Sequence, residues 1–89
     1  MKWLKTDNPR VWETADGRYH AMAEDSPTYP EGGCIGRVYA RPLQMSFLKA
    51  RAERVGMAMW GADPEAALRQ VIRRFDPEAE LPERDKVLP

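Results

Sequence analysis

Along residues 11–23 apolar and polar positions alternate, and the chain then turns back on itself. Val11-Trp12-Glu13-Thr14 and Arg18-Tyr19-His20-Ala21-Met22-Ala23 flank Ala15-Asp16-Gly17. Alternation of period two marks a half-buried strand, and Asp-Gly is a favoured hairpin turn because both residues tolerate positive φ. With Asp16-Gly17 as a two-residue type I′ loop, Thr14 faces Tyr19, Glu13 faces His20 and Trp12 faces Ala21. One face of the hairpin then carries Trp12, Thr14, Tyr19, Ala21 and Ala23. The other carries Val11, Glu13, Arg18, His20, Met22 and Glu24. The first is the better core face, since a one-residue slip would turn every side chain over.

The flanking segments are read the same way. Residues 1–9, ending at Asn8-Pro9, read as a lead-in, and residues 25–33 read as a loop from their Pro, Gly and Ser content. A third strand is predicted over 34–41, with Val38 and Ala40 inward and Arg37, Tyr39 and Arg41 on the open face. Residues 42–55 fit either element. Pro42 at the first helical position and Gly56 beyond the last would frame a helix, whereas Lys49, Arg51 and Glu53 alternating with Ala50 and Ala52 suit a strand. Residues 55–60 alternate again and are predicted as a strand.

The clearest element is a helix over 63–75. Asp63 is an N-cap, Pro64 fits the first turn, and Glu65 favours the positive end of the helix dipole. Leu68, Val71, Ile72 and Phe75 recur at i, i+3, i+4 and i+7 as one apolar stripe. Asp76-Pro77 ends it. Residues 77–89 are rich in Pro and charge and are predicted to be a disordered acidic tail. The whole pattern predicts an α+β fold: a small antiparallel β-sheet of three to four strands with a C-terminal amphipathic helix packed on one face. It forms a single domain over 10–76, with no internal repeat.

Composition narrows the chemistry. At 89 residues the chain is one domain at most, and with one cysteine it has no intramolecular disulfide. With His20 as its single histidine, a zinc site would need carboxylates or a second chain. Stability must come from packing or association. Three Trp and five Met supply large apolar groups for either. No apolar run is long enough for a membrane span, and none follows Met1-Lys2-Trp3-Leu4-Lys5. A cytoplasmic location with Cys34 reduced is therefore expected.

The formal net charge is zero, which excludes a uniformly basic or uniformly acidic surface. The zero is a cancellation. Residues 43–75 hold Lys49, Arg51, Arg54, Arg69, Arg73 and Arg74 against Glu53, Asp63 and Glu65, net +3. Residues 76–89 hold Arg84 and Lys86 against Asp76, Glu78, Glu80, Glu83 and Asp85, net −3.

The strand leading into Gly61-Ala62-Asp63-Pro64-Glu65-Ala66-Ala67-Leu68 resembles the strand-to-helix junction of HicB-like antitoxin domains and of many small phage proteins. The Trp12…Asp16-Gly17-Arg18-Tyr19 hairpin also looks like short phage and prophage reading frames. What the resemblance implies is an accessory protein of the kind that includes inhibitors of host defence, acting by binding a host protein. It carries over no functional residue.

Each reactive constellation has a plainer reading beside it. His20 sits across the hairpin from Glu13, and a cross-strand ion pair explains it as well as general acid/base work on an open sheet. Cys34 after Gly32-Gly33 would need His20 beside it to act as a nucleophile, whereas an inert cysteine is simply buried. Gly32-Gly33-Cys34-Ile35-Gly36 lacks the Gly-Lys-Ser/Thr end of a phosphate loop. Capping accounts for Asp63 and Glu65.

Three surfaces remain as binding candidates. Arg18, His20, Arg37, Tyr39 and Arg41 share the open sheet face, where arginine and aromatic groups suit a protein hot spot or a stacking platform for nucleic acid. Arg69, Arg73 and Arg74 form a basic helix edge. Met57, Met59 and Trp60 form an apolar group that a partner or a second copy would cover. The sequence thus leads to a non-enzymatic interaction protein with no cofactor and no metal. It binds a protein partner or itself, with a small nucleic-acid-binding module as the alternative.

Overall fold

The computed structural model describes residues 1–26, 33–40 and 53–83. Five strands, β1 (Trp3–Lys5), β2 (Val11–Thr14), β3 (Tyr19–Asp25), β4 (Cys34–Ala40) and β5 (Glu53–Gly61), precede one helix, α1 (Pro64–Phe75). The strands form one antiparallel sheet in the order β1-β2-β3-β4-β5. The α+β class is as expected, with five strands rather than three to four.

The extra strand lies in the expected lead-in. Trp3 pairs with Thr14 and Lys5 with Trp12, so β1 extends the hairpin by one strand. Its Trp3 is 1% exposed and meets Phe75 edge-on, with ring centroids 6.5 Å apart. Burial of one tryptophan there fixes a segment too short to show any period.

The β2–β3 register is the expected one, with Glu13 opposite His20 and Trp12 opposite Ala21. The turn is a different type. Gly17 has φ 75°, but no non-glycine residue among those described has positive φ, so the type I′ geometry is absent. Instead the Thr14 carbonyl accepts from the Gly17 N–H at 2.9 Å. The Asp16 carboxylate accepts from the Thr14 hydroxyl at 2.7 Å and from the Arg18 N–H at 3.0 Å. An aspartate that satisfies its own turn holds the loop without entering the left-handed region.

The helix forms as its sequence dictates. Asp63 is extended and accepts from the Ala66 N–H at 2.8 Å, and Pro64 opens the first turn. Ala67, Leu68, Val71 and Ile72 are buried against the sheet. There they meet Trp12, Ala21, Ala23, Cys34 and Val38, while Tyr19, Val55, Met59 and Phe75 pack around this core. Helix and sheet lie close: a Cβ on Gly36 would stand 2.6 Å from the Ala67 carbonyl, and one on Gly61 would stand 2.2 Å from the Ala67 nitrogen. At Asp76 the helix ends, with its N–H on the Ile72 carbonyl.

Beyond the helix, residues 77–83 are fastened rather than disordered, and residues 84–89 lie outside the described residues. Glu80 accepts from the Trp3 N–H at 2.9 Å and donates to the Met1 carbonyl at 2.8 Å, a parallel bridge along the free side of β1. Ala79 is 4% exposed and belongs to the core. The acidic composition hid a segment whose backbone is held by partners from the other end of the chain.

Among the described residues the register shifts between β4 and β5. Gly36 pairs with Met59 and Val38 with Val55, so three residues of β5 stand opposite Arg37 alone. Gly56, at φ 73°, takes the bend. Glu53, Arg54 and Val55 belong to β5, which answers the helix-or-strand question for those three residues. The question for residues 42–52 lies outside the described residues.

Candidate binding face

The helix covers one face of the sheet, and the register assigns the side chains of the other. One row runs Leu4, Glu13, His20, Tyr39 from β1 to β4. The next runs Val11, Met22, Arg37, and a third Glu24, Ile35, Trp60. Apolar and aromatic groups alternate on this face with Glu13, His20, Arg37 and Glu24. Leu4 and Trp60 are exposed, while Val11, Met22, Ile35 and Tyr39 are partly so. The His20 and Tyr39 rings stack at 5.1 Å with planes 18° apart. Arg37 reaches diagonally to Glu24 at 3.6 Å, with about a quarter of its side chain exposed.

Of the five residues expected here, the structure gathers His20, Arg37 and Tyr39. Arg18 stands exposed at the hairpin tip, and Arg41 lies outside the described residues. The His20–Tyr39 stack depends on the β3–β4 register, which the length of the intervening loop does not set. Leu4 joins the face only through β1. Both therefore escaped the sequence.

The Met57, Met59 and Trp60 group does not form one patch. Met59 packs on the core beneath the helix side, whereas Trp60 stands opposite Ile35 on the open face. Met57 is 61% exposed, and its sulfur lies 3.8 Å from the Arg74 guanidinium. Alternation alone separates neighbours such as 59 and 60, and the bulge displaces 57 from its strand partner.

The basic helix edge also has another role. Arg69 donates to Glu65 at 2.9 Å and to the Pro82 carbonyl at 2.6 Å, with its guanidinium 5.2 Å from the centre of the Trp12 ring. Arg73 donates to the carbonyls of Pro77 and Ala79 at 3.2 and 2.9 Å. Two of the three arginines therefore hold the C-terminal segment in place. The edge also lies across the sheet from Arg37 and Tyr39, so one strand of nucleic acid lying flat on either surface meets only that one.

The reactive residues are kept apart. Cys34 is buried on the helix side, 3.9 Å from Asp25 Oδ1, and His20 projects from the opposite face. A Cys–His nucleophile pair is not formed. Asp63 caps the helix and Glu65 pairs with Arg69. Among the described residues no three His, Cys, Asp or Glu side chains gather where they could hold a metal ion. Asp25 also meets Arg10 at 2.9 Å, and this hydrogen bond and opposite charge raise the Arg10 pKa further. At the hairpin tip, the Thr14 hydroxyl and the Arg18 N–H hold the Asp16 carboxyl below its ordinary pKa.

No protein-family model matches the chain, and comparison with curated proteins and with solved structures found no match. No helix among the described residues is long and apolar enough to cross a membrane.

Proposed function

We propose that this chain is a small interaction protein that acts without catalysis, holding a protein partner on the helix-free face of its sheet. The role is that of a phage-type inhibitor of a host defence protein. The observation behind this reading is the composition of that face: Leu4, Val11, Met22, Ile35, Tyr39 and Trp60 share it with Glu13, His20 and the Arg37–Glu24 ion pair. Exposed apolar and aromatic groups interspersed with arginine are what recognition surfaces offer a protein partner. The test is affinity capture from host lysate with wild type beside Tyr39→Ala and Met22→Glu. A partner retained by wild type and lost, or weakened at least about tenfold, by both variants supports the reading. A partner held equally by all three removes it.

The stacked His20–Tyr39 pair favours one further reading, a platform for single-stranded nucleic acid with Arg37 beside it. Affinity for an oligonucleotide should then fall steeply with salt and drop on Arg37→Ala or Tyr39→Ala. Absence of binding at about 50 mM salt, where phosphate contacts are strong, would eliminate it.

A further inference from the structure

We propose that the outer edge of β1, with Arg69 and Arg73 beside it, is a strand-addition site for an extended segment of a partner protein, and that residues 77–83 are its competitor held in cis. The site lies on the sheet's edge, apart from the open face.

The chain's own C-terminal segment shows what the site accepts. Arg73 donates to the carbonyls of Pro77 and Ala79, and Arg69 to that of Pro82. Glu80 donates its N–H to the Met1 carbonyl and accepts from the Trp3 N–H through its own carbonyl. All of these bonds go to the backbone of the segment. Such bonds fix direction and register but read no side chain, and pockets for alternate side chains supply the selection. Here the selection rests on Ala79, 4% exposed within the core, and on Leu81, partly buried against it. The ligand is therefore an extended segment running parallel to β1, with a small residue followed two positions later by an aliphatic one.

The resident segment fills this site incompletely. In a parallel ladder the residue two after Glu80 would donate to the Trp3 carbonyl, which points to the same outer side as the Trp3 N–H. That residue is Pro82, which has no N–H to give. Its carbonyl turns instead to Arg69, at 2.6 Å. Among the described residues the pairing stops at the Lys2–Glu80 bridge, and a groove of about 390 Å³ lies between β1 and residues 80–83. A partner segment with any other residue at that place can continue the ladder along β1. It gains a hydrogen bond that the cis segment lacks, which offsets part of the advantage the cis segment has from its tether.

Fluorescence anisotropy on the full chain tests this. The probe is a labelled synthetic peptide of residues 77–83 carrying Pro82→Ala. The comparison peptides keep Pro82, or carry Ala79→Asp as well as Pro82→Ala. The full chain is used as wild type and with its own segment loosened in two ways. Glu80→Pro, at an exposed position, removes the N–H given to Met1, and Ala79→Asp ejects the buried methyl group. Unchanged far-UV circular dichroism spectra confirm that these variants fold. The Pro82→Ala peptide should bind the wild-type chain weakly and the loosened chains about tenfold more tightly, as the fraction of open sites rises. On every chain it should bind about threefold more tightly than the peptide that keeps Pro82, the worth of one hydrogen bond. The peptide with Ala79→Asp should not bind. Tyr39→Ala should leave all these affinities unchanged, which separates this edge from the open face. Failure of the Pro82→Ala peptide to bind the folded, loosened chains overturns the proposal. So does equal binding of the peptide that keeps Pro82, or loss of binding on Tyr39→Ala.

Discussion

At the scale of single residues the fold rests on close approaches that leave no slack. Gly61 meets the helix backbone where a methyl group would stand 2.2 Å from the Ala67 nitrogen. No flexible side-chain end can yield there. Gly61→Ala should therefore cost about 1–3 kcal/mol by forcing α1 off the sheet, read as a lower urea midpoint. Asp16 makes a different kind of prediction. Its carboxyl is held below the ordinary range, first by the Thr14 hydroxyl and then by the Arg18 N–H. The stabilisation is thus complete above the ordinary aspartate pKa and is lost as pH falls through the depressed value. Thr14→Val should flatten that acid-side dependence in urea titrations repeated from neutral pH downward. Asp-Gly announced this turn in the sequence. Its type was not legible, because whether Asp16 enters positive φ depends on what its carboxylate finds to bond, and Thr14 supplied that.

At the scale of elements, what was legible was local. Asp63-Pro64 and Asp76-Pro77 bracket α1 because caps act within a turn of the residues they serve. Asp63→Ala should cost about 1 kcal/mol, read in thermal unfolding. By contrast, β1 and residues 77–83 hold each other across nearly the whole chain. Neither shows a period: β1 has three residues, and the C-terminal segment looks like solvated charge. Their order comes from backbone bonds between Trp3 and Glu80 and from carbonyls offered to Arg69 and Arg73. Ending the chain at Asp76 should lower stability by roughly 2 kcal/mol, a fall in Tm of about 10 °C for so small a domain. Tryptophan emission should shift to the red as Trp3 meets water. An unchanged melting curve and spectrum would show that the segment only rests on the surface.

At the scale of the whole molecule, the cancelling charges of the two halves take on a structural meaning. The −3 of residues 76–89 is not a free screen, since its first part is fastened along β1 by two arginines of the +3 half. The candidate face was legible in part, because alternation placed His20, Arg37 and Tyr39 on one side. Its extent was not, because Leu4 needed β1, Trp60 needed the β4–β5 register, and a bulge separated Met57 from both. The clasp between the chain's ends also has a consequence in time. On a ribosome the hairpin, β4 and β5 can pair as they emerge, but the outer backbone groups of β1 meet Glu80 only after that residue has left the exit tunnel. Closing contacts between the two ends of the chain is slow relative to local turns. Until then the nascent chain carries β1 without its Glu80 partner. Pulse-labelled hydrogen exchange should find the β1 amides protected last.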